Sequence, residues 1–146
     1  MMYQMIFQAE LESLYEMLEF IKVYGERSKL STLALDQLTV GVEEALVNII
    51  SYAYPGEKKG TVEILCENAT AQPGVKVIIK DQGVPFNPVE NAPKSVAPAS
   101  AILEKAETTL GGYGISIMVG MMDVVDYKRI DNNNILTLIK YTGAPA

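Results

Sequence analysis

The feature that most constrains this fold is a change of apolar period across Pro55-Gly56. Ahead of that break, apolar residues recur every three or four positions, the repeat that lays one face of a helix on a core. Leu11, Leu14, Leu18 and Ile21 form such a stripe over residues 10–24, with Glu12, Glu16 and Glu19 off it, and Gly25 is expected to cap the helix end. Ser31 is the expected N-cap of a longer helix through Leu35, Leu38, Val42, Ala45 and Ile49, ended near Tyr54 by Pro55-Gly56. Beyond the break, residues 61–67 and 75–80 read as strands joined by a polar loop containing Pro73-Gly74. An apolar helix over 115–122 and strands over 124–130 and 135–141, flanking the polar turn 131–134, follow; a short strand over 5–9 precedes everything. Helices interleaved with antiparallel hairpins predict an α+β sandwich, one layer of helices on one mixed sheet.

Between Asp81 and Leu110 the pattern weakens, because Pro85, Pro88, Pro93 and Pro98 interrupt it, although residues 99–106 can form a short helix. A stretch of that length in a compact domain is usually functional or mobile. No repeat or linker divides the chain, and its 146 residues have room for one domain, spanning 1–146.

Composition then removes whole classes of chemistry. The chain contains no histidine, which excludes a Ser-His-Asp triad, a histidine base and a histidine-ligated metal. With one cysteine, Cys66, no internal disulfide or zinc-type spacing exists; its apolar, strand-like setting predicts a buried, inert thiol. A net charge of −6 argues against nucleic-acid binding by bulk electrostatics. The N-terminus lacks the basic and apolar regions of a secretory signal, and no apolar run reaches membrane-spanning length. A reducing cytoplasm is the expected location.

Three segments can carry chemistry, and each has a plainer reading beside it. Glu44 and Asn48 lie four apart on the second helix, hence on one face, among Val42, Ala45, Leu46 and Ile49. Taken alone they read first as a polar strip on that helix, with Glu43 turned to solvent. Asp81-Gln82-Gly83-Val84-Pro85-Phe86 follows an apolar strand and has the composition of a common turn. An Asp at a strand end followed by a Gly that permits close approach also suits a flat heterocycle bearing an exocyclic amine; Phe86 is expected in the core. Gly111-Gly112-Tyr113-Gly114 opens a helix, where free N–H groups favour phosphate, though a hinge or tight packing explains such glycines as well. It is neither a P-loop nor a dinucleotide-binding fingerprint.

In order and spacing the three segments resemble the ATP-binding domain of the GHKL superfamily, which includes gyrase, histidine kinases and MutL. Glu43-Glu44-Ala45-Leu46-Val47-Asn48 with Ala53-Tyr54-Pro55, Asp81-Gln82-Gly83-Val84-Pro85-Phe86-Asn87-Pro88, and Gly111-Gly112-Tyr113-Gly114-Ile115 followed by residues 121–127 are similar to the anti-sigma-factor serine kinase branch. The likeness runs from about Phe7 to Lys140. It implies a histidine-kinase-like ATPase fold with a largely antiparallel sheet covered on one face by helices.

By that resemblance Asn48 binds a magnesium ion bridging the phosphates of ATP, and Glu44 is the general base. Asp81 accepts the adenine amino proton and Gly83 lets the ring approach. Gly111, Gly112, Tyr113 and Gly114 belong to the phosphate turn, and residues 87–110 form a lid. Departures are Ser51 and Tyr52, where relatives often carry a cation and His, and Asn132-Asn133, near a Gly-Thr whose hydroxyl helps hold adenine. Lys94 and Lys105 are candidates to replace the missing cation.

The function implied is serine phosphorylation of a STAS-type anti-anti-sigma protein in transcription regulation. A sigma factor is a possible second partner and a homodimer a possible assembly. The alternative is a module that binds nucleotide or a partner without phosphoryl transfer.

Overall fold

Local sequence sets the element boundaries, and strand alternation decides which side chains meet. The computed structural model describes residues 2–88 and 112–142. Strands β1 (Tyr3–Gln8), β2 (Thr61–Asn68), β3 (Gly74–Asp81), β4 (Val124–Ile130) and β5 (Asn133–Tyr141) form one sheet in the order β1-β2-β3-β5-β4. Each neighbouring pair is antiparallel, so the sheet expected to be mixed and largely antiparallel is antiparallel at every described pairing. Helices α1 (Leu14–Arg27), entered through a 3-10 turn at Leu11–Ser13, α2 (Thr32–Tyr52) and α3 (Gly112–Met121) complete the described elements.

The core lies between the sheet and these helices. On β3, Val75, Val77 and Ile79 are buried against the helix layer, as are Val62, Ile64 and Cys66 on β2 and Leu136 and Leu138 on β5. They meet Met17 and Ile21 of α1, Leu38, Val42 and Leu46 of α2, and Ile115 and Met118 of α3. The alternate β3 positions carry Lys76 and Lys80, 3.4 Å from Glu67 and 4.0 Å from Glu63 on β2. These partly exposed ion pairs contribute little to stability, but they mark the face of the sheet away from the core. Period 2 then has a consequence at the strand ends: Asp81 continues the inward series of Val75, Val77 and Ile79, and Asn134 begins that of Leu136 and Leu138.

Two boundaries differ from the sequence reading. Gly25 does not cap α1, which runs on to Arg27; Gly25 is buried where a Cβ would lie 2.6 Å from Leu35 Cδ1 of α2. The chain reverses instead at Lys29, with φ 61°, where Lys29 N donates to Glu26 O (3.2 Å) and Leu30 N to Gly25 O (3.3 Å). These paired bonds form a helix-terminating Schellman motif. The turn expected over 131–134 is shorter: Asp131 (φ 51°) and Asn132 (φ 64°) make the two-residue, left-handed link that suits the twist of a hairpin. Asn133 and Asn134 therefore belong to β5. Ser31 does cap α2, its hydroxyl oxygen accepting from Ala34 N at 3.1 Å. Among the described residues no helix is long and apolar enough to cross a membrane. The expected lid, apart from Asn87 and Pro88, lies outside the described residues, together with the 99–106 helix, Lys94, Lys105 and Gly111.

Candidate functional site

Inward phase at two strand ends places two polar groups where apolar ones belong. Among the described residues, the buried polar side chains are Asp81 and Asn134. They are partners in the β3–β5 register, and Asn134 Nδ2 donates to Asp81 Oδ1 at 2.9 Å. Buried polar groups persist only when they are satisfied, and here the satisfaction is extensive. Gly83 N donates to the same Asp81 oxygen at 2.9 Å, closing the turn that follows β3. The second amide hydrogen of Asn134 goes to the Val84 carbonyl at 2.8 Å. On β4, the Tyr127 hydroxyl donates to Asn134 Oδ1. Arg129 Nη1 donates to that oxygen at 3.1 Å and to the Gly83 carbonyl at 2.7 Å.

The end of α2 is fastened to the same turn. Val84 N donates to Ala53 O at 2.8 Å, and a Cβ on Gly83 would stand 2.2 Å from that carbonyl oxygen. Gly83 thus makes room for backbone, which cannot swing aside as a side chain can. Tyr54 adds a second tie, its hydroxyl accepting from Gln82 N (2.8 Å) and donating to Thr61 O (2.7 Å).

Between α2 and these strand ends lies a solvent-open pocket with a cavity volume of about 40 Å³. Ala45, Asn48, Ile49 and Tyr52 line it from α2, the three- and four-residue spacing of one helical stripe. Met118, Val84, Phe86, Pro88 and Leu136 extend the apolar lining, while Asp81, Asn134 and Tyr127 supply polar atoms at the strand ends. A largely apolar cleft with a few placed polar groups is the usual form of a small-molecule site. Phe86, expected in the core, is 36% exposed and belongs to this lining. Its chain follows the Gly83 turn outward, past the last ladder position.

Glu44 sits one helical turn before Asn48, outside the pocket lining. It meets α3 instead: a Cβ on Gly114 would lie 2.4 Å from Glu44 Oε2. Burial pushes the Glu44 carboxyl above the usual carboxylate range, and the adjacent charge of Glu43 adds to the effect. Glu43 itself is exposed, as expected. The structure thus places Asn48 and Asp81 in one pocket with Gly83 beneath Asp81, and pairs Glu44 with Gly114 beside it. Gly112 and Tyr113 form the start of α3.

A sequence model of the histidine kinase-like ATPase domain matches residues 7–140. The chain belongs to this family. Curated relatives are more distant. The serine-protein kinase RsbW of Bacillus licheniformis is 26% identical over 107 residues, covering 73% of this chain and 64% of that protein. The proteins of the same name from Listeria monocytogenes and Listeria innocua are each 27% identical over 101 residues, covering 69% of this chain and 62% of theirs. The chain therefore matches less than two thirds of the length of these relatives.

For a histidine kinase-like ATPase domain, the sequence reading overlooked Asn134, Tyr127 and Arg129. It set Asn132-Asn133 near the hairpin position that the resemblance associates with adenine. Asn132 is exposed in the hairpin turn, and the Asn133 side chain donates to the Asp131 and Ile130 carbonyls at 3.0 and 3.4 Å. Asn134 stands opposite Asp81. The available signal was alternation: 134, 136 and 138 share a phase on β5, as do 125, 127 and 129 on β4. Cys66 takes no part in the site; fully buried, its thiol is pushed up to about 12.

Proposed function

We propose that this ATPase domain binds ATP with magnesium between α2 and the Asp81–Asn134 end of the sheet. The full reading is a cytoplasmic, single-domain anti-sigma regulatory factor spanning 1–146, which phosphorylates a serine on a STAS-type anti-anti-sigma protein. A sigma factor is the proposed second partner and a homodimer the proposed assembly. The observation that carries the reading is the buried Asp81–Asn134 pair at the edge of an apolar cleft whose helix wall carries Asn48. The relatives named serine-protein kinase RsbW supply the direction toward serine phosphorylation.

The residues present suit that ligand. Asp81 spends Oδ1 on Gly83 N and Asn134 Nδ2, while Oδ2 takes no bond among the described residues; an acceptor at the edge of an apolar cleft matches an exocyclic amine. Asn48 offers an amide oxygen, a suitable ligand for a hard cation. Among the described residues no cluster of carboxylates or thiols could hold a metal unaided, so a cation here depends on nucleotide oxygens and water. When bound, magnesium-ATP supplies the transferable phosphoryl group and the charge neutralisation that its transfer needs. The chain orients the base through Asp81 and Gly83 and contributes the metal ligand Asn48. Glu44 is the proposed general base, and its raised proton affinity suits a group that accepts a hydroxyl proton near neutrality. Gly111, Gly112, Tyr113 and Gly114 are the proposed phosphate turn, and residues 87–110 the proposed lid.

One observation favours the alternative, a nucleotide- or partner-binding module without transfer: Glu44 lies against Gly114 and outside the pocket lining. Labelled ATP, magnesium and a STAS protein separate the two readings. Label on a serine of the STAS protein, lost in Glu44→Ala, supports the kinase. Nucleotide-dependent thermal stabilisation without label supports the binding module, and absence of both overturns the site.

A further inference from the structure

The sheet has two edges, and they are finished differently. β4 closes one of them and exposes Asp126 and Lys128, charges of the kind that discourage pairing with a further strand. β1 lies at the other edge, bonded to β2 on one side. Its sequence, Tyr3-Gln4-Met5-Ile6-Phe7-Gln8, carries no charge, proline or glycine. Apolar exposure gathers here as well: Met5 (48%), Ile6 (60%) and Tyr15 (74%) are exposed. Met5 and Tyr15, with Phe20 and Val23, line a groove between β1 and α1. An apolar patch beside an unprotected edge marks an interaction surface. Charge then names the occupant. α1 runs antiparallel to β1, since Tyr3 packs edge-on against Tyr24 and Phe7 against Phe20, with ring centroids 5.2 and 6.0 Å apart. At the Tyr3 end, residues 22–29 carry Lys22, Arg27 and Lys29 against Glu26, and the Arg27 guanidinium lies 5.7 Å from the Tyr3 ring. Toward the Phe7 end, residues 10–19 carry Glu10, Glu12, Glu16 and Glu19 and no cation. The edge is basic at one end, acidic at the other and neutral between. A twofold turn sets the basic end of one copy against the acidic end of another; a parallel arrangement sets like against like.

We propose that β1 is the pairing edge for a second copy of this chain, joined antiparallel about a twofold axis at Met5, so that two sheets become one. The inference rests on the homodimer proposed above and adds the surface on which it forms. Residues directly opposite in an antiparallel ladder share a face, so Tyr3, Met5 and Phe7, which alternate toward the helix side, must meet one another. An axis at Met5 sets Met5 against the partner's Met5 and Tyr3 against the partner's Phe7, an apolar and an aromatic pair. An axis at Ile6 would instead set Tyr3 against the partner's Ala9, beyond the strand. The net charge of −6 on each copy opposes association, and the uncharged strand with its crossed end charges lowers that cost where the copies touch.

The test is analytical ultracentrifugation of the full chain as wild type, Met5→Lys, Met5→Glu and Ile6→Lys. Wild type should be dimeric at micromolar concentration. Met5→Lys and Met5→Glu each put like charges face to face on the axis, and each should raise the dimer Kd by about 100-fold or more. An equimolar mixture of these two variants should dimerise again, because opposite charges then meet at that position. Ile6→Lys, on the other face of the same strand, should weaken the dimer by about tenfold and covers the case in which the Met5 variants fail to fold. Dimers that persist unweakened in these variants overturn β1 as the surface while leaving the homodimer standing. Folded Met5 variants whose mixture stays monomeric overturn the pairing about Met5. Wild type that is monomeric throughout overturns the homodimer itself.

Discussion

The strand end of the pocket and the helix–helix contact beside it are built on opposite principles. At the strand end, Asp81, Asn134, Tyr127 and Arg129 are bonded to one another and to the Gly83–Val84 turn, and the turn is bonded to the end of α2. At the helix–helix contact, Glu44 is half-buried, pressed against Gly114, and makes no hydrogen bond or ion pair among the described residues. The first arrangement stabilises the fold whether or not a ligand is present. The second opposes folding, since a desolvated carboxylate without a partner raises the free energy of the native state. Such a cost is consistent with the role proposed for Glu44, since perturbed carboxyls are common at functional sites. Mutations in the two regions should therefore move stability in opposite directions.

The largest effect is expected from Gly83→Ala. The new Cβ would meet the Ala53 carbonyl oxygen at 2.2 Å, and neither partner can rotate away. Displacing the turn or the end of α2 should cost about 3 kcal/mol, read as a lowered urea midpoint, with loss of nucleotide binding. A midpoint equal to wild type would show that the two segments are not locked together. Asn134→Leu ranks second. It leaves Val84 O and one Arg129 hydrogen without a protein partner and removes a donor from Asp81, for a cost of about 2 kcal/mol. If Asn134→Leu unfolds at the wild-type urea concentration, the bonded network contributes nothing net and the contrast fails at its strand end.

How much of this was legible beforehand differs between the same two regions. Glu44, Asn48 and Asp81 stand out in a sequence because each is polar within an apolar stretch of known period. The sandwich follows from that period too, since helix stripes and alternating strands leave few ways to bury both. Asn134 was hidden by the question of where the hairpin turn ends. Reading 131–134 as one polar turn puts Asn134 in solvent; ending the turn at Asn132 moves it into the phase of Leu136 and Leu138. Gly25 was misread for a related reason: local propensity makes it a helix end, but the packing of Leu35 from another helix fixes it in the interior. Long-range contact decided both, and local pattern carries none of it.

At the helix–helix contact, Glu44→Gln should stabilise the protein, and the gain should depend on pH. The folded-state pKa of Glu44 is raised above its ordinary 4.5. Below the ordinary value the carboxyl is neutral in folded and unfolded chains alike, and the wild type carries no penalty. As pH rises through the raised folded value, the folded protein must ionise a buried group and stability is lost. Gln escapes that loss. Thermal melts should show equal midpoints near pH 4 and a higher midpoint for Glu44→Gln near pH 8, by about 2 °C. Phosphoryl transfer, on the proposed mechanism, should fall by about 100-fold or more. A Gln variant less stable than wild type at pH 8 would mean that Glu44 has a stabilising partner when ionised.

The smallest stability change is expected from Gly114→Ala, the same substitution as Gly83→Ala but in the helix–helix contact beside the pocket. Here too the added Cβ meets an oxygen closely, at 2.4 Å. That oxygen, however, is the tip of the Glu44 side chain, which can rotate away where the Ala53 carbonyl cannot. Ala also favours a helix over Gly by about 1 kcal/mol, which offsets the displacement. The urea midpoint should therefore stay within about 0.5 kcal/mol of wild type, while transfer, on the proposed mechanism, should drop because the carboxyl has been moved. If Gly114→Ala destabilises as strongly as Gly83→Ala, Glu44 is held as rigidly as Ala53. The helix–helix contact would then be as fixed as the strand end, and its raised pKa would reflect packing alone.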